Sequence, residues 1–396
     1  MGKAKKMLAC CLVMALISGC WDNRELNDQA IQLAAGLDWT EDQTYIVSNQ
    51  FARNPEAGQS DMKSQTGFYT EIAEGKTPMA ALAAMQSKVT RIINRGQRRS
   101  LVIGDKLARR GFKDILDFIL RNAESPMRVD LFIVKKGDAS DLLKSSTPFG
   151  GQSLREYYKL HQANYGAVDV TFTDMIRMMN ELSHSGNFMP AMEKVSKKGS
   201  EKIDDPKQAV YRFAGSAVLD NDAKLLGYLN LEETNNSLWI VNWPHRHLIT
   251  VTTPDGTGTI TIQLRGTKSK WKMKKNDIKN MQLNMSANIT LVENTSNLDL
   301  LNTENLDAIK KELEQEIERQ MKLLIRKFQH DLHIDAIGVG EYLYRNHPQH
   351  WRTVMDEWQN TFPAIDFSCS VRLKFTRFGL TGASGYLKKE EVKDPL

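Results

Sequence analysis

The sequence predicts an α+β protein of more than one domain, with mixed or antiparallel sheets and packed helices. Strand-like and helix-like segments alternate through the first third of the chain. Strand patterns then dominate up to about residue 293. One long amphipathic helix, from about Glu304 to His330, precedes a closing strand.

The elements follow in order. "AIQLAAGLDWTEDQTYIVSNQFARNP" reads as strands near Ala30–Asp38 and Tyr45–Ala52 around a polar turn at Thr40–Thr44. "TPMAALAAMQSKVTRIINRG" predicts a helix with Thr77 as N-cap, Pro78 in its first turn and Gly96 as its stop. "RSLVIGD" is a short strand. In "LARRGFKDILDFILRN", Phe112, Ile115, Leu116 and Ile119 form a helical stripe. "MRVDLFIVKKGDASDLLK" is a strand, a Gly-Asp turn and a helix.

Further on, "YRFAGSAVLDNDAKLLGYLN" predicts two strands joined at Asn221-Asp222. "GTITIQLRGTKSKWKMK" and "NMQLNMSANITLVE" continue the strand pattern. The long helix places Leu306, Ile309, Leu313, Ile317, Met321, Leu324 and Phe328 on one face, with Lys310, Lys311, Glu314, Glu318, Arg319 and Lys322 on the other. "EYLYRNHPQHWRTVMDEWQNTFP" predicts one more helix. In "DFSCSVRLKF", Phe367, Cys369, Val371, Leu373 and Phe375 alternate with polar residues, which makes a half-buried strand.

The stretch "SKKGSEKIDDPKQ" at 196–208 is polar, carries Gly199 and Pro206, and reads as a linker. The expected division is a signal peptide at 1–19, an N-terminal α+β domain at 20–200, a β-rich middle domain at 208–275 and a C-terminal α+β domain at 276–396.

The signal peptide rests on Lys3, Lys5 and Lys6, followed by an apolar run from Leu8 to Ile17. That run is too short for the roughly 20 apolar residues of a membrane span, and Asp22, Arg24 and Glu25 follow at once. Ile17-Ser18-Gly19-Cys20 fits the bacterial lipobox. It predicts cleavage between Gly19 and Cys20, an S-diacylglyceryl group on Cys20 and acylation of its new amino terminus. Two acyl chains anchor stably where one, at ~0.8 kcal/mol per buried CH₂, is marginal.

Removing residues 1–19 takes three lysines and no acid, which leaves 50 Lys+Arg against 48 Asp+Glu. A charge this close to neutral gives no basis for nucleic-acid binding. Cys10 and Cys11 leave with the signal and Cys20 is acylated, so Cys369 has no intrachain disulfide partner and reads as core.

Catalytic signatures are missing. The chain has no phosphate-binding glycine loop, no G-x-S-x-G elbow and no H-E-x-x-H. His330, Asp331, His333 and Asp335 are dense in sequence, but histidine at a helix end also simply complements the dipole. No metal, cofactor or enzymatic role is therefore assigned. Trp239, Trp243 and Trp271 read as core or interface, with core favoured for each alone.

Directly after the lipobox comes Trp21-Asp22-Asn23-Arg24-Glu25-Leu26. A "CWD-x-x-E-L" start at this place resembles the C-subunit lipoproteins of bacterial spore-germination receptors, the Ger(x)C family. "MRVDLFIVKKGDASDLLK", the long helix, "DAIGVGEYLYRNHPQHW" and "VRLKFTRFGLTG" are similar to the family in the same order. The resemblance implies a non-catalytic, lipid-anchored receptor subunit on the outer face of the spore inner membrane. Its partners would be two integral-membrane proteins, an A and a B subunit. Cys20 is the one position carried over from the family. No pocket signature supports direct small-molecule binding. The alternative is a lipid-anchored solute-binding protein serving a transporter, which would need two lobes around a ligand cleft.

Overall fold

The structure is a computed structural model. It describes residues 25–53, 67–122, 124–145, 154, 168, 170–179, 186–195, 210–243, 247–253, 255–377, 383, 387 and 392. The signal peptide, Gly19 and Cys20, the 196–208 linker and the end of "VRLKFTRFGLTG" lie outside the described residues.

The first sheet has nine strands in the order β3-β2-β1-β5-β6-β7-β8-β9, with β4 also beside β1. The strands are β1 (Gln29–Trp39), β2 (Tyr45–Ala52), β3 (Phe68–Gly75), β4 (Ile92–Asn94), β5 (Ser100–Gly104), β6 (Asp130–Val134), β7 (Asn187–Val195), β8 (Val210–Leu219) and β9 (Leu225–Leu229). Between them come helices α1 (Pro78–Gln86), α2 (Asp105–Arg110), α3 (Lys113–Leu120), α4 (Ala139–Lys144) and α5 (Phe172–Met179). The pairs β1–β5, β5–β6 and β6–β7 are parallel, and the outer pairs are antiparallel.

β5 and β6 are buried at every residue. Their near-continuous apolar runs suit a parallel centre covered on both faces. Ile115, Leu116 and Ile119 of α3 pack in the main core, while Leu142 and Leu143 of α4 pack in a smaller second one with Val102 and Phe132.

α6 (Leu231–Ile240) follows β9 and leads to the second sheet, ordered β10-β11-β12-β13. Its strands are β10 (His247–Thr252), β11 (Thr259–Lys274), β12 (Asp277–Asn294) and β13 (Asp366–Arg377). The helices before β13 are α7 (Thr303–Arg326), α8 (Val339–Asn346), α9 (Pro348–Val354) and α10 (Trp358–Thr361). Lys275 and Asn276 join β11 to β12, with φ of 49° and 54°. Two positive φ angles in a two-residue loop match the twist of a hairpin.

The sheets divide the chain differently from the expected 208–275 and 276–396 boundaries. β8 and β9 extend the first sheet, and residues 275 and 276 are the turn of one hairpin. Strand pairing is long-range, and a strand's alternation does not name its neighbour.

Three helices also differ. The helix expected to reach Gly96 stops at Gln86, where the Gln86 side chain bonds Val89 O, Arg91 O and Ile93 N and turns the chain. The β-branched Ile92 and Ile93 then pair beside β1. The segment "LARRGFKDILDFILRN" is divided by Gly111 at φ 99° into α2 and α3, and the predicted stripe lies along α3 and its N-cap. The expected 341–363 helix breaks at His347, before Pro348, and continues as shorter pieces. α6 was not foreseen, although Asn230 and Glu233 form a capping box at its start.

α7 buries Ile309, Leu313, Ile317, Met321 and Leu324, and a five-residue π turn carries on from Lys327 to Asp331. Burial of each such side chain contributes roughly 1.5–3 kcal/mol. Two acids expected on its polar face have another role. Glu314 Oε1 accepts from Leu373 N at 2.8 Å, and Glu318 Oε1 accepts from Val371 N at 2.9 Å. β13 is the edge of its sheet, and these carboxylates satisfy N–H groups that would otherwise invite another strand.

We expect Glu318→Ala to destabilise the fold by about 1–3 kcal/mol, the range for leaving such a donor without its acceptor. Urea unfolding of the variant would show a lower midpoint at unchanged slope.

Candidate functional site: the cleft between the sheets

In a sheet with a parallel centre, ligands commonly bind beyond the carboxyl ends of the strands. Here that edge is occupied by the protein itself. Asp38, at the end of β1, is 4% exposed and accepts from Ala139 N at 2.7 Å and Ser140 N at 3.0 Å. It thereby satisfies the first N–H groups of α4 from a different element. Burial outweighs these bonds and pushes the Asp38 carboxyl up to about 6. Gly104 lies alongside, and a Cβ there would sit 1.9 Å from Asp38 Oδ1.

Next to it, Asp105 accepts from Tyr228 OH at 2.6 Å, Lys136 N at 3.0 Å and Arg109 Nε at 2.7 Å. Burial works to raise Asp105, but the three donors hold it below the usual carboxylate range. These acids tie β1, α4 and β9 together, which leaves little of their hydrogen-bonding capacity for chemistry.

The larger opening lies between the two sheets. It is a cleft of ≈ 460 Å³, whose walls include Trp243, Trp271, Tyr342, Arg345 and Lys270. Asn187, the first residue of β7, forms part of its lining, and neither polar atom of its fully buried amide has a protein partner. The volume is that of a small-molecule site, and aromatic walls around the buried Asn187 amide can orient a planar polar group.

The walls pack directly against each other. Phe188 of β7 meets Phe328 after α7 edge-on at 6.0 Å. Lys327 Nζ donates to both oxygens of Glu233 at 2.8 Å and to Tyr228 O at 3.1 Å. A Cβ on Gly186 would lie 2.9 Å from Ala336 Cβ and Ile334 Cγ1.

The residues singled out in the sequence fall as follows. Trp239 is fully buried and donates to Lys268 O at 3.1 Å. Trp271 is buried and donates to Ile337 O at 3.2 Å, while Trp243 is half-buried in the cleft wall. Asp335 is spent on Ile337 N, Val339 N, Gly340 N and Trp358 Nε1. Among the described residues no set of three His, Cys, Asp or Glu side chains is placed to hold a metal.

Cys369 faces the core, 4.0 Å from Met285 Sδ, and burial pushes its thiol up to about 12. Asn187 and the cleft escaped the sequence. The one available signal was an amide at an otherwise apolar strand position in "NFMPAM".

Comparison with known proteins covers most of the chain. Residues 22–194 match the family model for the spore germination protein N-terminal domain, and residues 214–379 match the spore germination B3/GerAC-like C-terminal model. Spore germination protein KC of Bacillus subtilis is 25% identical over 95% of this chain and 96% of its own length. Spore germination protein B3 of the same organism is 21% identical over 96% of this chain and 100% of its own. The crystal structure of the GerBC protein superposes with a TM-score of 0.57, covering 86% of this chain and 96% of that one. At 18% identity that likeness is one of fold.

The buried Asp38 carboxyl predicts a pH dependence of stability. Its folded pKa lies above the ordinary 3.8, so its contribution is fully present below about 4 and is lost as pH rises through about 6. The shift corresponds to about 3 kcal/mol. Asp38→Asn should flatten stability across pH 4–6 relative to the parent chain, measured by denaturant unfolding at each pH.

Proposed function

The chain belongs to the B3/GerAC-like family of spore germination proteins, and from that premise we propose that it is the lipid-anchored, non-catalytic C subunit of a nutrient germinant receptor. It would work on the outer face of the spore inner membrane, in complex with integral-membrane A and B subunits. The observation that carries this reading is the Ile17-Ser18-Gly19-Cys20 box with Trp21-Asp22-Asn23-Arg24-Glu25-Leu26 directly behind it.

The geometry fits an anchor at that place. Strand β1 begins at Gln29, nine residues after Cys20. Nine residues reach at most roughly 30 Å. An acylated Cys20 therefore holds the amino end of β1 near the bilayer. Among the described residues no helix is long and apolar enough to cross a membrane. A tethered protein of this kind acts by contact with its membrane partners.

The solute-binding alternative calls for lobes that close over a ligand. The shared packing of Phe188, Phe328, Gly186 and Ala336 works against such a hinge.

Cys20→Ala tests the anchor. The variant should lose incorporation of a labelled fatty acid, retain its signal peptide or leave the membrane fraction, and lower the germination response of spores carrying it. A variant that stays processed and membrane-attached would show that Cys20 is not the anchor.

A further inference from the structure

A second cavity lies within the first sheet's main core, between β1 and β2 on one side and α1 and α3 on the other. Its volume is ≈ 20 Å³, with Leu37, Val47, Leu101 and Phe118 among its apolar walls. Space of that size admits one or two water-sized occupants and no organic molecule.

Its polar lining is unusual. Arg98 reaches it from just before β5 and is only 6% exposed. Its Nε and one terminal nitrogen have no protein partner, and neither do Arg95 Nε, Gln32 Oε1 or the two polar atoms of Asn49. The nearby carboxylate of Glu124 is engaged by Arg95 at 2.8 Å, on the solvent side. Burial, followed by the charge of Arg95, lowers Arg98 to about 10, which still leaves it a cation at neutral pH.

A buried ion without a counter-charge costs several kcal/mol, and each unpaired buried amide atom adds to that. A guanidinium cannot escape by losing its proton near pH 7. Its charge calls for an anion, and the cavity limits that anion to a small one.

We propose that this cavity binds one monovalent anion of halide size, held by Arg98 and by the amide nitrogen of Asn49, with Arg95 adding positive potential. The remaining amide oxygens take a donor from a co-bound water. The inference is independent of the receptor reading, because it rests on the polar groups inside one core.

The probe is chloride, on the full chain in detergent. Chloride-35 resonance should broaden in the presence of the protein, and bromide should reverse the broadening. At constant ionic strength, replacing gluconate with chloride up to 300 mM should raise the melting temperature by about 2–4 °C. Arg98→Met should abolish both effects. Since that variant also opens packing, Asn49→Asp is the second test. It supplies a fixed carboxylate beside Arg98, so it should melt at or above the chloride-free parent and respond no further to chloride. If the parent chain gives no broadening and melts alike in both salts, the cavity holds water only and the proposal fails.

Discussion

Strand β1 pairs with three others, and the first sheet is built outward from it. Antiparallel β2 lies on one side, while β4 and β5 lie parallel on the other along successive parts of its length. A register irregularity between Gln32 and Ala34 separates the β4-paired part from the β5-paired part. Gln32 is thereby set beside the Arg98 cavity, while Ala35 and Leu37 still face the main core. At the far end, Asp38 caps α4. At the near end, Gln29 lies nine residues after Cys20 in the chain. The same strand carries the core and the cap.

The second constraint is the junction of the two sheets. α6 and the turn after α7 lie at that junction, and the Lys327–Glu233 bridge joins them. That bridge is about a quarter exposed at both ends, so screening keeps its contribution modest. The apolar contact of Phe188 with Phe328 and the close fit of Gly186 carry more weight. Side chains of both sheets thus share one packed junction.

Much of the local structure was legible in the residues. Thr77 caps α1 through Ala80 N, as its hydroxyl before Pro78 suggested. The long helix buries its marked stripe from Ile309 to Leu324, and Cys369 faces inward on a strand whose alternation marked it. What was not legible depends on distance along the chain. Nothing in "YRFAGSAVLDNDAKLLGYLN" says that its strands complete a sheet begun at Gln29. Glu314 and Glu318 looked like solvated charges, because the backbone donors they meet lie more than fifty residues away. Arg98 sits in "RGQRRS", and only the packing of α1 and α3 over the sheet encloses it.

By itself the sequence determined what is local: periodicity, caps and turns. These follow from side-chain chemistry within a few residues of the backbone they act on. Tertiary structure alone decided which strands pair, which acids meet backbone N–H groups, and which polar side chains lie buried around a cavity. Those outcomes are set by burial and by contacts between distant segments, and neither exists until the chain has folded.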